Sequence, residues 1–171
     1  MRVQELDEES IRWKVEVHVF DHVFREIFHL CKNAVPNETV GFLIGDVYYK
    51  DETRKEKYVL IEGYVPLPGE EKRTTVHVDR RKLAQVAYTL RQKYPNKIIV
   101  GWYHSHPGHG VFLSEDDITT QLYLFPEDYH VALVIDPISR DFAFFKLQGR
   151  DGRCRRASFA IWKEVKRKDE R

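Results

Sequence analysis

The sequence predicts a single α/β domain built on a mixed β-sheet flanked by helices. Three observations carry that prediction. Segments of β-rich character alternate with segments whose apolar residues recur at helical spacing. Two neighbouring β-rich runs, Val40 to Tyr49 and Tyr58 to Val65, face each other across a charged turn as an antiparallel pair. A third run, Ile98 to Tyr103, is apolar throughout, as a central strand covered on both faces should be.

The elements follow in order. Lys14 to Phe20 alternates, with Val15, Val17 and Val19 on one face of a half-buried strand. Asp21 reads as the N-cap of a helix carrying Val23, Phe24, Ile27, Phe28, Leu30 and Cys31 on its apolar side. Pro36-Asn37 ends it. After the hairpin, Pro66-Leu-Pro-Gly69 opens a polar excursion, and Thr75 to Val78 returns to strand. Asp79 caps a second helix whose stripe is Leu83, Val86, Ala87, Leu90 and Tyr94, closed by Pro95-Asn96. Ser114, with Asp117 three residues on, marks a third helix start. Tyr129 to Ile135 and Asp141 to Leu147 form a last hairpin around Asp136-Pro-Ile-Ser139. No internal repeat is visible.

This reading divides the chain into an N-terminal extension (1–13), a catalytic domain (14–148) and a basic C-terminal segment (149–171). The last holds nine Lys/Arg against four Asp/Glu, a local charge of +5 that leaves −4 for the remainder. Phe159, Ile161, Trp162 and Val165 punctuate it, so the favoured reading is a final helix or strand docked on the core with a solvated basic face. A binding tail for an acidic protein or for nucleic acid is the competing reading.

Composition narrows the class. The 171 residues are 42% hydrophobic, enough for one real core. Charged residues make up 32% but cancel to +1, so bulk charge favours neither nucleic acid nor membrane. Apolar runs fall short of a spanning helix, and the acidic first residues lack the apolar stretch of a signal peptide; the cytoplasm is the expected location. Cys31 falls on an apolar helix face and Cys154 in a polar stretch, with no CxxC spacing for a thiolate zinc site. A bridge between the two would be unusual in that compartment.

The stretch Gly101-Trp-Tyr-His-Ser-His-Pro-Gly-His-Gly-Val-Phe-Leu-Ser-Glu-Asp-Asp117 carries the chemistry. His104 and His106 are two residues apart, so a strand puts both imidazoles on one face. Asp117 adds a carboxylate, with Asp116 its rival by register. Two neutral imidazoles and one carboxylate, with a fourth position open, describe a catalytic zinc site, although iron or manganese competes on ligand type alone. Glu38, at the entrance of the Val40 strand, is the candidate general base, and Ser114 the candidate oxyanion donor. His109 lies in the Gly-rich loop as a rim or substrate contact, since a fourth protein ligand would close the site. Trp102 and Tyr103 read as core and pocket wall, with Trp102 also a candidate substrate contact. His18, His22, His29, His77 and His130 have no ligand spacing.

Glu38-Thr-Val-Gly41, Gly101-Trp-Tyr-His-Ser-His-Pro107 and Ser114-x-x-Asp117 together resemble the JAMM (MPN-plus) metalloprotease family. Within it, the likeness is to the proteasome-lid deubiquitinase and signalosome deneddylase branch and its archaeal relatives. The similarity spans residues 14 to 147. It implies an MPN-like (cytidine-deaminase-like) fold and cleavage of isopeptide bonds after the C-terminus of ubiquitin or a ubiquitin-like protein. It also implies one zinc held by His104, His106 and Asp117, with Glu38 as acid/base and Ser114 as oxyanion donor. Val131-Ala-Leu-Val-Ile-Asp-Pro137 resembles the family's strand and turn after the motif. Leu124 to Asp128 is shorter than an insertion some relatives carry, which argues against a second zinc. The Pro66–Val78 excursion corresponds to another family insertion, so Thr75 and Val76 become candidate contacts for an extended substrate tail. The expected partners are ubiquitin or ubiquitin-like conjugates, with the proteasome or another MPN-type subunit as further candidates. Processing of a small sulfur-carrier protein and a non-catalytic MPN scaffold are the alternatives.

Overall fold

The computed structural model describes residues 8–67 and 80–163. Short helix α1 (Glu8–Lys14) leads into strand β1 (Val17–Phe20), then helix α2 (Asp21–Ala34). Strands β2 (Val40–Tyr49) and β3 (Lys57–Pro66) precede α3 (Arg80–Lys93) and β4 (Ile98–Ser105). Helix α4 (Glu115–Leu124), β5 (Val131–Asp136), β6 (Asp141–Leu147), β7 (Cys154–Arg156) and β8 (Phe159–Trp162) complete the order.

Eight strands form one sheet in the order β7-β6-β5-β4-β2-β3-β1-β8. It is mixed: β1 runs parallel to both β3 and β8, and β4 parallel to β5, while the remaining pairs are antiparallel. The sheet curls until its two edges approach. Ala157 N–H donates to the Phe144 carbonyl at 2.8 Å, and the Phe159 ring packs against Phe142 and Phe144. Period-2 alternation then sorts side chains into two cores. Val17, Val19, Leu43, Val59, Ile61, Tyr103 and Leu133 point to the side that α2 covers with Val23, Ile27 and Cys31. Phe42, Ile44, Val65, Trp102, Ala132 and Val134 point the other way, where Val86 of α3 and Phe125 after α4 meet them. Strand β4, between β5 and β2, is therefore covered on both faces, as its unbroken apolar run predicts.

Three expectations need correction. The first strand begins at Val17, and Lys14 closes a helix: Arg12 and Lys14 lie in the last turn of α1, where basic charge matches the helix dipole. Trp13 packs edge-on against Tyr58 at 5.0 Å, the tertiary contact that this short segment needs. Asp21 is the first residue of α2 and Phe20 is its N-cap, without a side-chain bond; Asp21 contributes acidic charge to the first turn. On α3 only Val86 is buried, while Leu83 is 51% exposed. The Thr75–Val78 strand and the Asp79 cap lie outside the described residues.

Both cysteines are free. Residues 154–162 supply the two edge strands, and an ion pair fastens them. Glu16 accepts from Arg155 at 2.5 and 2.9 Å and from Ser158 N–H at 3.0 Å. The bonds from Arg155 outweigh burial and hold the Glu16 carboxyl down to about 2, against an ordinary 4.5. A depressed folded value means that the pair's stabilisation is complete above pH 4.5 and lost as pH falls toward 2. We expect wild-type denaturation midpoints to fall more steeply than those of Glu16→Gln across that window. Equal slopes would mean that the pair adds nothing.

Histidines outside the motif are accounted for locally. His18, 2% exposed, accepts from the Trp162 indole N–H at 2.7 Å and lies 3.0 Å from the Arg12 carbonyl. His130 accepts from Glu127 N–H at 3.1 Å, and burial pushes both imidazoles below the usual range. His29 bonds Asn33 and His22 stacks on Phe20; His77 lies outside the described residues. No described helix is long and apolar enough to cross a membrane.

Candidate metal centre

The end of β4 and the start of α4 build the site. Val40 pairs with His104 in the β2–β4 ladder, which puts His104 in the sheet and His106 just beyond it. The chain leaving β4 is held by its neighbours. His106 N–H donates to the Ile135 carbonyl at 2.8 Å, and the Asp136 carboxylate accepts from Gly108 N–H (2.9 Å) and Gly110 N–H (3.1 Å). Those two glycines have φ of +75° and +87°, a region that other residues rarely adopt. Against burial, these backbone donors, that of Ile138 and the Ser139 side chain hold the Asp136 carboxyl well below the carboxylate range.

Helix α4 begins with a reciprocal cap. Ser114 Oγ accepts from Asp117 N–H at 3.1 Å, and Asp117 Oδ2 accepts from Ser114 N–H at 2.8 Å. The same Oδ2 lies 3.2 Å from His104 Nε2 and 3.4 Å from His106 Nε2. All three side chains are buried, with ligand atoms within 4.8 Å of one another. These spacings suit a shared ion: bonds of about 2.0–2.2 Å at the tetrahedral angle put ligand atoms roughly 3.3–3.6 Å apart. Both nitrogens of His104 are buried without a hydrogen-bond partner among the described residues. A buried nitrogen left orphaned is costly, and a cation bound at Nε2, which faces Asp117, would satisfy that atom. Burial opposes charge on Asp117, but the two imidazoles and the Ser114 N–H hold its carboxyl far below the usual range. Burial likewise opposes charge on His106, yet Asp117 and Glu38 prevail and raise its value. The residues present therefore fit a metal with two imidazoles and one carboxylate.

Other expected residues fall around this triad. Glu38 is half-buried two residues before Val40, just beyond the last pair of the β2–β4 ladder, and its charge is felt at His106. Ser114 is half-buried at the helix start. His109 is exposed on the loop, outside the triad. Thr75 and Val76 lie outside the described residues. Trp102 is 2% exposed and forms a wall behind His104. Its ring stacks on His104 with centroids 4.4 Å apart, 12° from parallel.

Gln121 was not singled out in the sequence. Its Oε1 accepts from Trp102 Nε1–H at 2.6 Å, and its Nε2–H donates to the Phe125 carbonyl at 3.2 Å. Gln121 is four residues after Asp117, so the helix that carries the carboxylate is tied to the wall behind His104. The available signal was a polar residue on the inward side of a helix, which needs a partner. Gln121→Leu would leave the indole N–H buried without an acceptor, costing about 1–3 kcal/mol. Thermal unfolding should register a Tm drop of a few degrees or more; an unchanged Tm would remove this tie from the account.

Comparison with known proteins places this geometry. A family model described as "JAB1/Mov34/MPN/PAD-1 ubiquitin protease" matches residues 14–125. COP9 signalosome complex subunit 5 of Debaryomyces hansenii is 30% identical over 138 residues, covering 75% of this chain and 28% of that protein. The 26S proteasome non-ATPase regulatory subunit 14 of Dictyostelium discoideum is 26% identical over 124 residues, covering 71% and 39%. NAD(+) hydrolase TcpA of a Theionarchaea archaeon shares 46% over 66 residues, only 38% of this chain and 20% of that protein. The chain thus spans well under half the length of these curated relatives. A solution structure of a protein from Desulfitobacterium hafniense superposes with a TM-score of 0.62 at 17% identity, covering 87% of this chain and 94% of that one, a likeness of fold alone.

Proposed function

Because the chain belongs to the JAB1/Mov34/MPN/PAD-1 ubiquitin protease family, we propose that it is a zinc-dependent isopeptidase. Its bond of choice would be the one after the C-terminus of ubiquitin or a ubiquitin-like modifier. The observation that carries this reading is the convergence of His104, His106 and Asp117 at ligand spacing, with Glu38 two residues before Val40, the strand partner of His104. Zinc held there would act as a Lewis acid on the scissile carbonyl and acidify a water. Glu38 would accept the proton of the attacking water and return it to the departing amine. The Ser114 oxygen accepts the Asp117 N–H, which leaves its own O–H to donate to the developing oxyanion. Asp136 would keep the 107–110 loop, and with it His109, at the rim where a substrate tail arrives.

Relatives named as subunits of the COP9 signalosome and the proteasome support work beside an MPN-type partner or within a larger complex. Thr75 and Val76 would pair as a strand with a Gly-Gly tail, which brings no side chains into a narrow channel. We assign the activity to the cytoplasm. The test offers purified protein a Lys-linked conjugate of a ubiquitin-like modifier and a linear C-terminal fusion of a small sulfur-carrier protein. Cleavage of the isopeptide is the expected result. Cleavage of the linear fusion alone would transfer the assignment to sulfur-carrier processing; cleavage of neither by zinc-loaded protein would sink the reading for the isolated chain.

A further inference from the structure

We infer that Ser105, the residue between the two histidines, positions Glu38 through a buried hydroxyl relay with Thr39 and Cys31; the inference rests on the proposed role of Glu38 as base.

The β2–β4 ladder departs from regularity at this point. Val40 pairs with His104, and one step on, Ser105 N–H donates to the Thr39 carbonyl at 3.0 Å. A regular antiparallel pair of this kind exchanges both bonds, so Thr39 N–H should return to the Ser105 carbonyl. It goes instead to Ser105 Oγ, at 2.9 Å. A side chain has replaced a main-chain acceptor at the residue next to Glu38. The entrance of β2, where Glu38 stands, is therefore held by one main-chain bond and by the Ser105 hydroxyl in place of the second.

That hydroxyl has support. Ser105 is 0% exposed, and its Oγ lies 3.1 Å from Thr39 Oγ1. Thr39 Oγ1 lies in turn 3.1 Å from Cys31 Sγ, also 0% exposed, on the covered face of α2. Three elements meet in this relay: the last turns of α2, the entrance of β2 and the end of β4. Because Ser105 lies between His104 and His106, the same residue fixes the distance from the histidine strand to Glu38. A proton acceptor works only within hydrogen-bond reach of the water it serves. A displacement of about 1 Å can cost on the order of 100-fold in rate.

A purely structural hydroxyl would act on stability and leave turnover alone, so the test separates the two. Ser105→Ala should lower kcat roughly 10- to 100-fold, with KM within about twofold and zinc content unchanged. Thr39→Val, which keeps shape but not hydroxyl, should lower kcat severalfold, and Thr39→Ser should restore it. On a Glu38→Gln background, Ser105→Ala should add nothing, because the group it positions is gone. A Ser105→Ala kcat within about twofold of wild type, or a loss that persists in full on the Glu38→Gln background, would overturn the proposal. Should Ser105→Ala not fold, equal kcat for Thr39→Val and wild type would overturn it. A wild type that cleaves nothing would count against the isopeptidase reading, and hydrogen exchange would then decide the relay. Thr39 N–H exchanging at least tenfold faster in Ser105→Ala would support it, and unchanged exchange would overturn it.

Discussion

Glu38→Gln will lower isopeptide cleavage by roughly 10²- to 10⁴-fold while leaving about one zinc per chain. The substitution keeps the size and hydrogen-bonding reach of the side chain but removes its ability to take a proton. Metal retention follows from the geometry: the three side chains whose ligand atoms converge are His104, His106 and Asp117, and Glu38 is not among them. Glu38 influences the centre as a neighbouring charge, felt at His106. Metal analysis and turnover on the same preparation check both halves. Loss of zinc with Glu38→Gln would make Glu38 a ligand; retained cleavage would remove it as the base.

Asp117→Asn will do the converse, abolishing metal retention and cleavage while leaving the fold in place. An asparagine carbonyl can still accept from Ser114 N–H, so the start of α4 keeps its cap. What disappears is the one negative charge between two imidazoles, 3.2 and 3.4 Å away. Removing even an outer-shell partner typically costs 10- to 100-fold in metal affinity, and a charged ligand should cost more. Thermal unfolding with and without zinc reads this directly. At a free zinc concentration about 100 times the Kd, wild type should gain about 2.7 kcal/mol, and the variant almost nothing. An equal gain in both proteins would mean that zinc binds elsewhere.

How far the sequence reaches is clear from particular residues. The pairing of His104 with His106 was legible because strand geometry aligns them, whereas the choice of Asp117 over Asp116 came from the family resemblance; the helix cap turns Asp117 toward the two imidazoles. The central place of β4 was legible from its continuous apolar run, and the β2–β3 hairpin from its turn. Helix α1 was not, since its contact with Tyr58 is tertiary and its seven residues are too few to show a period. The Leu83–Tyr94 stripe gave the helix correctly but overstated its burial, because periodicity does not report what stands opposite a face. Gln121, Ser105 and Asp136 act through partners 19 to 66 positions away in the chain, and no spacing rule connects residues at such separations. Glu38 lies between these cases: a β-entrance was visible, but its nearness to the histidines depends on the pairing of Val40 with His104.

Zinc content and isopeptide cleavage, measured together on one sample of the protein before chelation, after it, and after zinc is restored, test the proposed metal-dependent isopeptidase most directly. We predict about one zinc per chain, cleavage that disappears with the metal, and cleavage that returns in proportion to zinc rebound. Cleavage that persists in fully metal-free protein would contradict the account.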